Sequence, residues 1–256
     1  MSKVAAQSPR GGWYRVLEGV LRPPLQALTK RDWRGGENLQ IPGGVVLAMN
    51  HLSWFDPLAA AHFCNDNGRP VRFLAKAEIF KVPVFGAILK GAGQIPVSRG
   101  TADATSSLHA AIKAVEGGEC VVIYPEGTLT RDQQLWPMTA KTGVARIALT
   151  TGCPVIPAAQ WGPQDILGLH SKFPKFFPRK TMKIWAGPPV DLEDLRNQPI
   201  TATVLREATE RIMRAITEIL AEQRQEPIPT QPLDRRIALA KNPIEKKSTK
   251  DKGSES

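Results

Sequence analysis

Residues 50–56 read NHLSWFD, which sets His51 five positions before Asp56, directly after an apolar run that reads as a buried strand. An imidazole, with an ordinary pKa of about 6.5, is largely neutral near pH 7 and can take a proton from an attacking hydroxyl. A carboxylate on its other ring nitrogen fixes the tautomer and stabilises the imidazolium as it forms. On one continuous α-helix, positions five apart lie about 140° around the axis, at roughly 100° per residue, and do not face each other. The pair can meet if the chain leaves a strand at Asn50 and enters a helix near Ser53. His51 then sits in the loop, Asp56 in the first helical turn, and Ser53 is the expected N-cap. None of the other histidines has this spacing, since Asn67, Ala114 and Lys175 follow His62, His109 and His170 by five. By itself the pattern is weak, and a surface histidine beside a helix-starting aspartate satisfies it equally well.

Three downstream segments add to it. Residues 73–99 read FLAKAEIFKVPVFGAILKGAGQIPVSR and end on Arg99, residues 124–131 read YPEGTLTR, and residues 154–159 read PVIPAA. In order and separation, these blocks and NHLSWFD together resemble the bacterial 1-acylglycerol-3-phosphate acyltransferases and the wider glycerolipid acyltransferase family with its HxxxxD motif, over about residues 45–190. One departure stands out. The family usually writes its third block EGTR, whereas Leu129 occupies the arginine's place here and Arg131 follows two positions later.

The resemblance implies transfer of a fatty acyl group from an acyl-CoA or acyl carrier protein thioester to the free hydroxyl of 1-acylglycerol 3-phosphate, giving phosphatidic acid. His51 is then the base and Asp56 its orienting partner, with no cofactor beyond the thioester substrate and no metal. A related enzyme acting on a different lipid hydroxyl or amine remains open because of Leu129. A non-catalytic membrane adaptor is the third reading, disfavoured by an intact His51 and Asp56.

Arg99 follows the short strand QIPV and precedes a helix that Thr101 or Asp103 can cap, so its guanidinium beside free helix N–H groups suits a phosphate, although Asp103 competes with the anion. By resemblance the second and third blocks hold the acceptor, which adds Lys76 as a lesser candidate. In PEGT, Glu126 is expected beside His51, Gly127 permits close backbone approach, and Thr128 offers a hydroxyl.

These residues need a scaffold, and strand and helix patterns alternate to supply one. Strands are expected at 44–49, 71–75, 94–97, 120–124, 154–159 and 181–186, with helices at 53–63, 82–91, 102–116, 139–151 and 203–223. The alternation argues an α/β fold: a largely parallel or mixed central sheet covered by helices on both faces, with an N-terminal amphipathic helical segment. In open α/β sheets ligands bind beyond the carboxyl ends of the strands, where both NHLSWFD and PEGT are expected to emerge. Residues 1–12 read as a disordered lead-in, 13–35 as the amphipathic segment, 36–225 as the acyltransferase domain and 226–256 as a disordered tail.

A net charge of +10 calls for an anionic partner. Residues 1–35 carry seven Lys or Arg against Glu18 and Asp32, and residues 163–180 carry Lys172, Lys175, Arg179 and Lys180 against Asp165. Both stretches interleave these cations with apolar side chains: Trp13, Tyr14 and Leu17 in the first, Phe173, Phe176 and Phe177 in the second. That mixture suits the headgroup zone of an acidic bilayer, so membrane lipid is the expected partner, with no nucleic acid. No window reaches the roughly 18 apolar residues of a spanning helix, so a peripheral, monotopic position on the cytoplasmic face is expected. The three cysteines, Cys64, Cys120 and Cys153, show no metal or disulfide spacing and suit a reducing compartment.

Overall fold

The computed structural model describes residues 12–97, 101–171 and 173–241. Its elements run α1 (Gly12–Leu28), β1 (Thr29–Arg34), β2 (Val45–Met49), α2 (Asp56–Asp66), β3 (Val71–Lys76), α3 (Phe85–Gly91), β4 (Ile95–Val97) and α4 (Thr101–Glu116). They continue with β5 (Cys120–Ile123), α5 (Gly143–Thr151), β6 (Val155–Trp161), α6 (Pro163–Leu167), β7 (Lys180–Ala186), α7 (Glu193–Arg196), α8 (Ala202–Arg224) and α9 (Arg235–Lys241).

The seven strands form one sheet in the order β1-β7-β6-β2-β5-β3-β4. The stretch from β6 to β4 is parallel. At the β6–β7 boundary the direction reverses, and β1 runs parallel to β7. Each central strand feeds both faces, because successive side chains alternate. On β2, Val45, Leu47 and Met49 pack with Phe63, Val122 and Ile156 under α2. Val46 and Ala48 point the other way, to Val121, Ile147 and Ile212 under α4, α5 and α8. Burial on both faces is why β2 reads as an unbroken apolar run. Helix α8 starts on Thr201, whose hydroxyl accepts the Val204 N–H. Its Leu205, Ala208, Ile212, Ile216 and Leu220 form the inward stripe at spacings of three and four.

Several expectations are corrected. The segment 13–35 is not one amphipathic unit: α1 ends at Leu28, and Thr29–Arg34 form an edge strand in register with Lys180–Trp185. The chain after Glu226 is not disordered throughout, since Leu233 accepts the Thr139 N–H at 3.0 Å and α9 follows with Ala238 buried. The expected helix at 82–91 is shorter, α3 starting only at Phe85, and a 3-10 turn, Ala77–Lys81, precedes it. Of the expected lead-in, 1–12, residues 1–11 lie outside the described residues, and Gly12 belongs to α1.

Helix α1 lies against the domain in a fixed rotation. The Tyr14 hydroxyl donates to Asn65 Oδ1 at 2.7 Å and accepts the Val71 N–H at 3.1 Å, while Arg22 pairs with Asp66 at 2.8 Å. Burial pushes the Tyr14 phenol up to about 12. Tyr14 therefore faces the protein and not a membrane, correcting the reading above, and Leu17 is half-buried. Val16 and Val20 point outward, whereas Trp13, although half-exposed, lays its ring against Gly91 of α3. No helix among the described residues is long and apolar enough to cross a membrane.

Candidate active site

Strands β2, β5 and β6 are neighbours and parallel, so the segments leaving their carboxyl ends share one edge of the sheet. The loop after β2 carries His51, and α2 begins at Asp56 with Phe55 as its N-cap. Ser53 does not cap that helix as expected. Its hydroxyl donates to the carbonyls of Pro163 and Leu167 and accepts the Phe55 N–H, stitching the loop to α6.

His51 Nδ1 and Asp56 Oδ2 lie 2.8 Å apart. The same oxygen accepts the backbone N–H groups of Leu52 at 2.6 Å and Ser53 at 2.8 Å. Three donors on one oxygen suit a carboxylate, which places the proton on Nδ1 and leaves the Nε2 lone pair as the basic site. Asp56 is fully buried, and burial pushes its carboxyl above the usual range against the lowering by His51 and the two N–H groups. The His51 side chain keeps 15% exposure, enough for a substrate to reach its edge. One ring face stacks on Tyr124, with centroids 4.1 Å apart and planes 13° from parallel.

The backbone of His51 is held from both ends. Its N–H donates to Glu126 Oε1 at 3.2 Å, and its carbonyl accepts the Thr130 N–H at 2.8 Å. The second oxygen of Glu126 accepts the Met138 N–H at 3.0 Å. Glu126 was expected to meet the ligand, but it is wholly buried with both oxygens occupied by main chain, so it ties the two loops together. Burial pushes its carboxyl up to about 8, against the lowering by the two N–H donors. Gly127, at φ 67, is exposed beside Lys141, and Thr128 is half-buried. Leu129 is buried, so the position that departs from EGTR presents a covered apolar side chain and no charge.

Sequence reasoning missed a second clamp. The Asn50 amide donates to the Gln160 carbonyl at 3.1 Å and accepts the Gln160 N–H at 2.8 Å, while the Gln160 side chain donates to the Asn50 carbonyl at 2.8 Å. This pair locks the end of β2 to β6 just before His51. The signal was available, since a fully polar residue closing an apolar strand needs buried partners.

The remaining expected residues are less central. Lys76 closes β3 with its backbone in register with Val97, at the same carboxyl edge. Arg99 lies outside the described residues. Phe176 packs against Phe55 with ring centroids 5.9 Å apart, so it belongs to the core and not to a docking face, whereas Phe173 and Phe177 are exposed by 79% and 77%. The three cysteines are buried and free, consistent with packing roles. No group of three or more His, Cys, Asp or Glu among the described residues is placed to hold a metal.

A histidine oriented by a buried carboxylate, at the carboxyl edge of an α/β sheet, defines a class of sites that deprotonate a hydroxyl by general base catalysis. The acyltransferase family profile matches residues 30–161, and the chain belongs to that family. It is 30% identical over 183 residues to the 1-acyl-sn-glycerol-3-phosphate acyltransferase of Bacillus subtilis (strain 168), covering 72% of this chain and 84% of that protein. It is 32% identical over 111 residues to the lyso-ornithine lipid O-acyltransferase of Pseudomonas aeruginosa, covering 43% of this chain and 40% of that one. The crystal structure of the 1-acyl-sn-glycerophosphate (LPA) acyltransferase PlsC from Thermotoga maritima superposes with a TM-score of 0.60 at 21% identity, covering 82% of this chain and 81% of that one. That likeness establishes the shared fold.

Proposed function

We propose that this protein transfers a fatty acyl group from an acyl thioester, of CoA or of acyl carrier protein, to the free hydroxyl of 1-acylglycerol 3-phosphate. The product is phosphatidic acid. The observation that carries the chemistry is the 2.8 Å contact between His51 Nδ1 and Asp56 Oδ2, which leaves Nε2 free at a partly open edge. In the proposed step Nε2 takes the hydroxyl proton, and the oxygen attacks the thioester carbonyl carbon. The C–S bond then breaks, and the departing thiolate recovers the proton from the imidazolium. Asp56 stabilises that imidazolium. Similarity to the Bacillus subtilis enzyme over most of its length supports this acceptor.

Buried Leu129 and the similarity to a lyso-ornithine lipid O-acyltransferase favour one second reading, a lysolipid acceptor whose headgroup is not a phosphate. Purified protein, labelled acyl-CoA and a panel including lysophosphatidic acid, lyso-ornithine lipid and neutral monoacylglycerol separate the two. Preferential labelling of lysophosphatidic acid is the expected result. Preference for the ornithine acceptor would establish the alternative. We further propose that the enzyme works as a peripheral protein on acidic membrane, supported by the exposed apolar face of α1 and by the cations of its first 35 residues.

A further inference from the structure

Tyr124 follows the last residue of β5 and, two positions after Val122, shares with it the face of the sheet that packs under α2. Its carbonyl accepts the Gly127 N–H at 2.9 Å, which closes the turn beyond it. Ala48 and Ile123 are in register, so Met49 and Tyr124 end the two strands side by side, and the chain reaches His51 two residues later. There the imidazole lies on the phenol ring, with centroids 4.1 Å apart and planes 13° from parallel. His62, which takes no part in the site, meets Trp33 edge-on instead, at 82° and 5.7 Å.

An aromatic face carries partial negative charge, so it attracts a cation laid over it and offers a neutral ring little beyond dispersion. An imidazole stacked on it gains most after taking a proton. The contact is therefore stronger in the transition state than in the resting enzyme, which is the condition for raising kcat. Asp56 meets the same ring in its plane at Nδ1, and Glu126 meets the His51 main chain. With one face covered by Tyr124, a substrate is left Nε2 and the opposite face. The Tyr124 hydroxyl is shut off from solvent beside the Gln160 side chain, and burial, with the Asp56 carboxyl adding to it, pushes the phenol well above its ordinary value. It thus stays neutral and does not bring a second negative charge to Asp56.

We propose that Tyr124 is a positioning residue for the base: its ring fixes the plane of His51 and stabilises the imidazolium from one face while Asp56 does so from the edge. The proposal rests on the reading of His51 as the base and is independent of which lysolipid accepts the acyl group.

The test compares full-length wild type with Tyr124→Phe, which keeps the ring, and with Tyr124→Leu and Tyr124→Met, which keep apolar bulk without it. Each is assayed with the acceptor that wild type labels best. In the two ringless variants kcat is expected to fall about tenfold with both KM values within about twofold. The acid limb of their kcat–pH profile is expected to move down by about one pH unit, since the protonated ring has lost its support. Tyr124→Phe is expected to keep the limb in place and most of kcat. Histidine NMR titrations of the same proteins need no substrate, with the His51 signals assigned by their loss in His51→Ala, and should shift the same way in the ringless variants alone. An unmoved limb and titration in a folded ringless variant, or a Tyr124→Phe that falls as far as Tyr124→Leu, overturns the assignment. A shifted titration in a protein that transfers no acyl group would keep Tyr124 as the support of His51 and sink the proposed reaction.

Discussion

Glu126 Oε1 accepts the His51 N–H at 3.2 Å, so a carboxyl with no solvent exposure on the loop after β5 fixes the main chain of the base on the loop after β2. Its other oxygen accepts the Met138 N–H, and the pair of acceptors cannot be reproduced by an amide, which presents one oxygen and one NH2 group. Glu126→Gln is therefore expected to lower kcat and the melting temperature while leaving the acceptor KM close to wild type. A raised acceptor KM with unchanged kcat would instead return Glu126 to a role in binding.

The same residue gives a pH dependence of defined sign. Its folded pKa, about 8, lies above the ordinary 4.5, so between these values the folded state holds more proton than the unfolded state. The contribution of Glu126 to stability is thus complete below about pH 4.5 and is lost as pH rises towards about 8. Thermal melts of wild type should weaken across that window more steeply than melts of Glu126→Gln. Parallel curves for the two proteins would count against the assignment.

For the base itself, His51→Ala is expected to lower kcat by roughly 10²- to 10⁴-fold with the fold intact, the usual scale of general acid-base catalysis. Asp56→Asn keeps one oxygen for the Leu52 and Ser53 N–H groups but loses the charge that stabilises the imidazolium, so kcat should fall with a smaller change in melting temperature. Near wild-type turnover by His51→Ala on its best acceptor would end the proposed mechanism.

Asn50→Ala strips the clamp on Gln160, leaving its backbone N–H and carbonyl buried without partners. Each orphaned group costs about 1–3 kcal/mol, so a substantial fall in stability is expected together with reduced kcat, since the displaced residue is next to His51. Urea melts measure the first effect and steady-state assays the second; a variant with wild-type stability would show that the clamp is dispensable.

What the sequence reveals and conceals follows from where each residue finds its partners. Strands β2, β5 and β6 are legible because burial on both faces leaves VVLAM, CVVI and VIPAA almost wholly apolar. Strand β1 is not, because TKRDWR is a half-exposed edge strand, and charge there blunts the open edge while hiding the strand pattern. The His51–Asp56 contact is legible because a loop followed by a helix start brings positions five apart together. The role of Glu126 is concealed, since its burial depends on residues 130–138 folding back over it. Likewise no local pattern tells that Tyr14 turns inward, because its partners Asn65 and Val71 lie far along the chain.

That inward turn of Tyr14 yields a test of membrane docking with opposite outcomes for neighbouring residues. Val16 and Val20 leave α1 on its exposed side, exposed by 54% and 65%, whereas Trp13 rests on Gly91 and Tyr14 hydrogen-bonds the domain. Replacing these two outward residues with serine removes apolar area available to the interface and little that the fold uses. Cosedimentation with anionic liposomes should fall, while the melting temperature and turnover on detergent-dispersed substrate stay close to wild type. Tyr14→Phe should do the reverse, leaving Val71 N–H and Asn65 Oδ1 without the hydroxyl, lowering the melting temperature and sparing liposome binding. High salt should weaken wild-type binding only in part, because each cation near an anionic leaflet contributes about 1 kcal/mol that salt screens, whereas apolar burial is insensitive to it. If the double serine variant binds liposomes as wild type does, α1 is a structural helix whose apolar face has no membrane role.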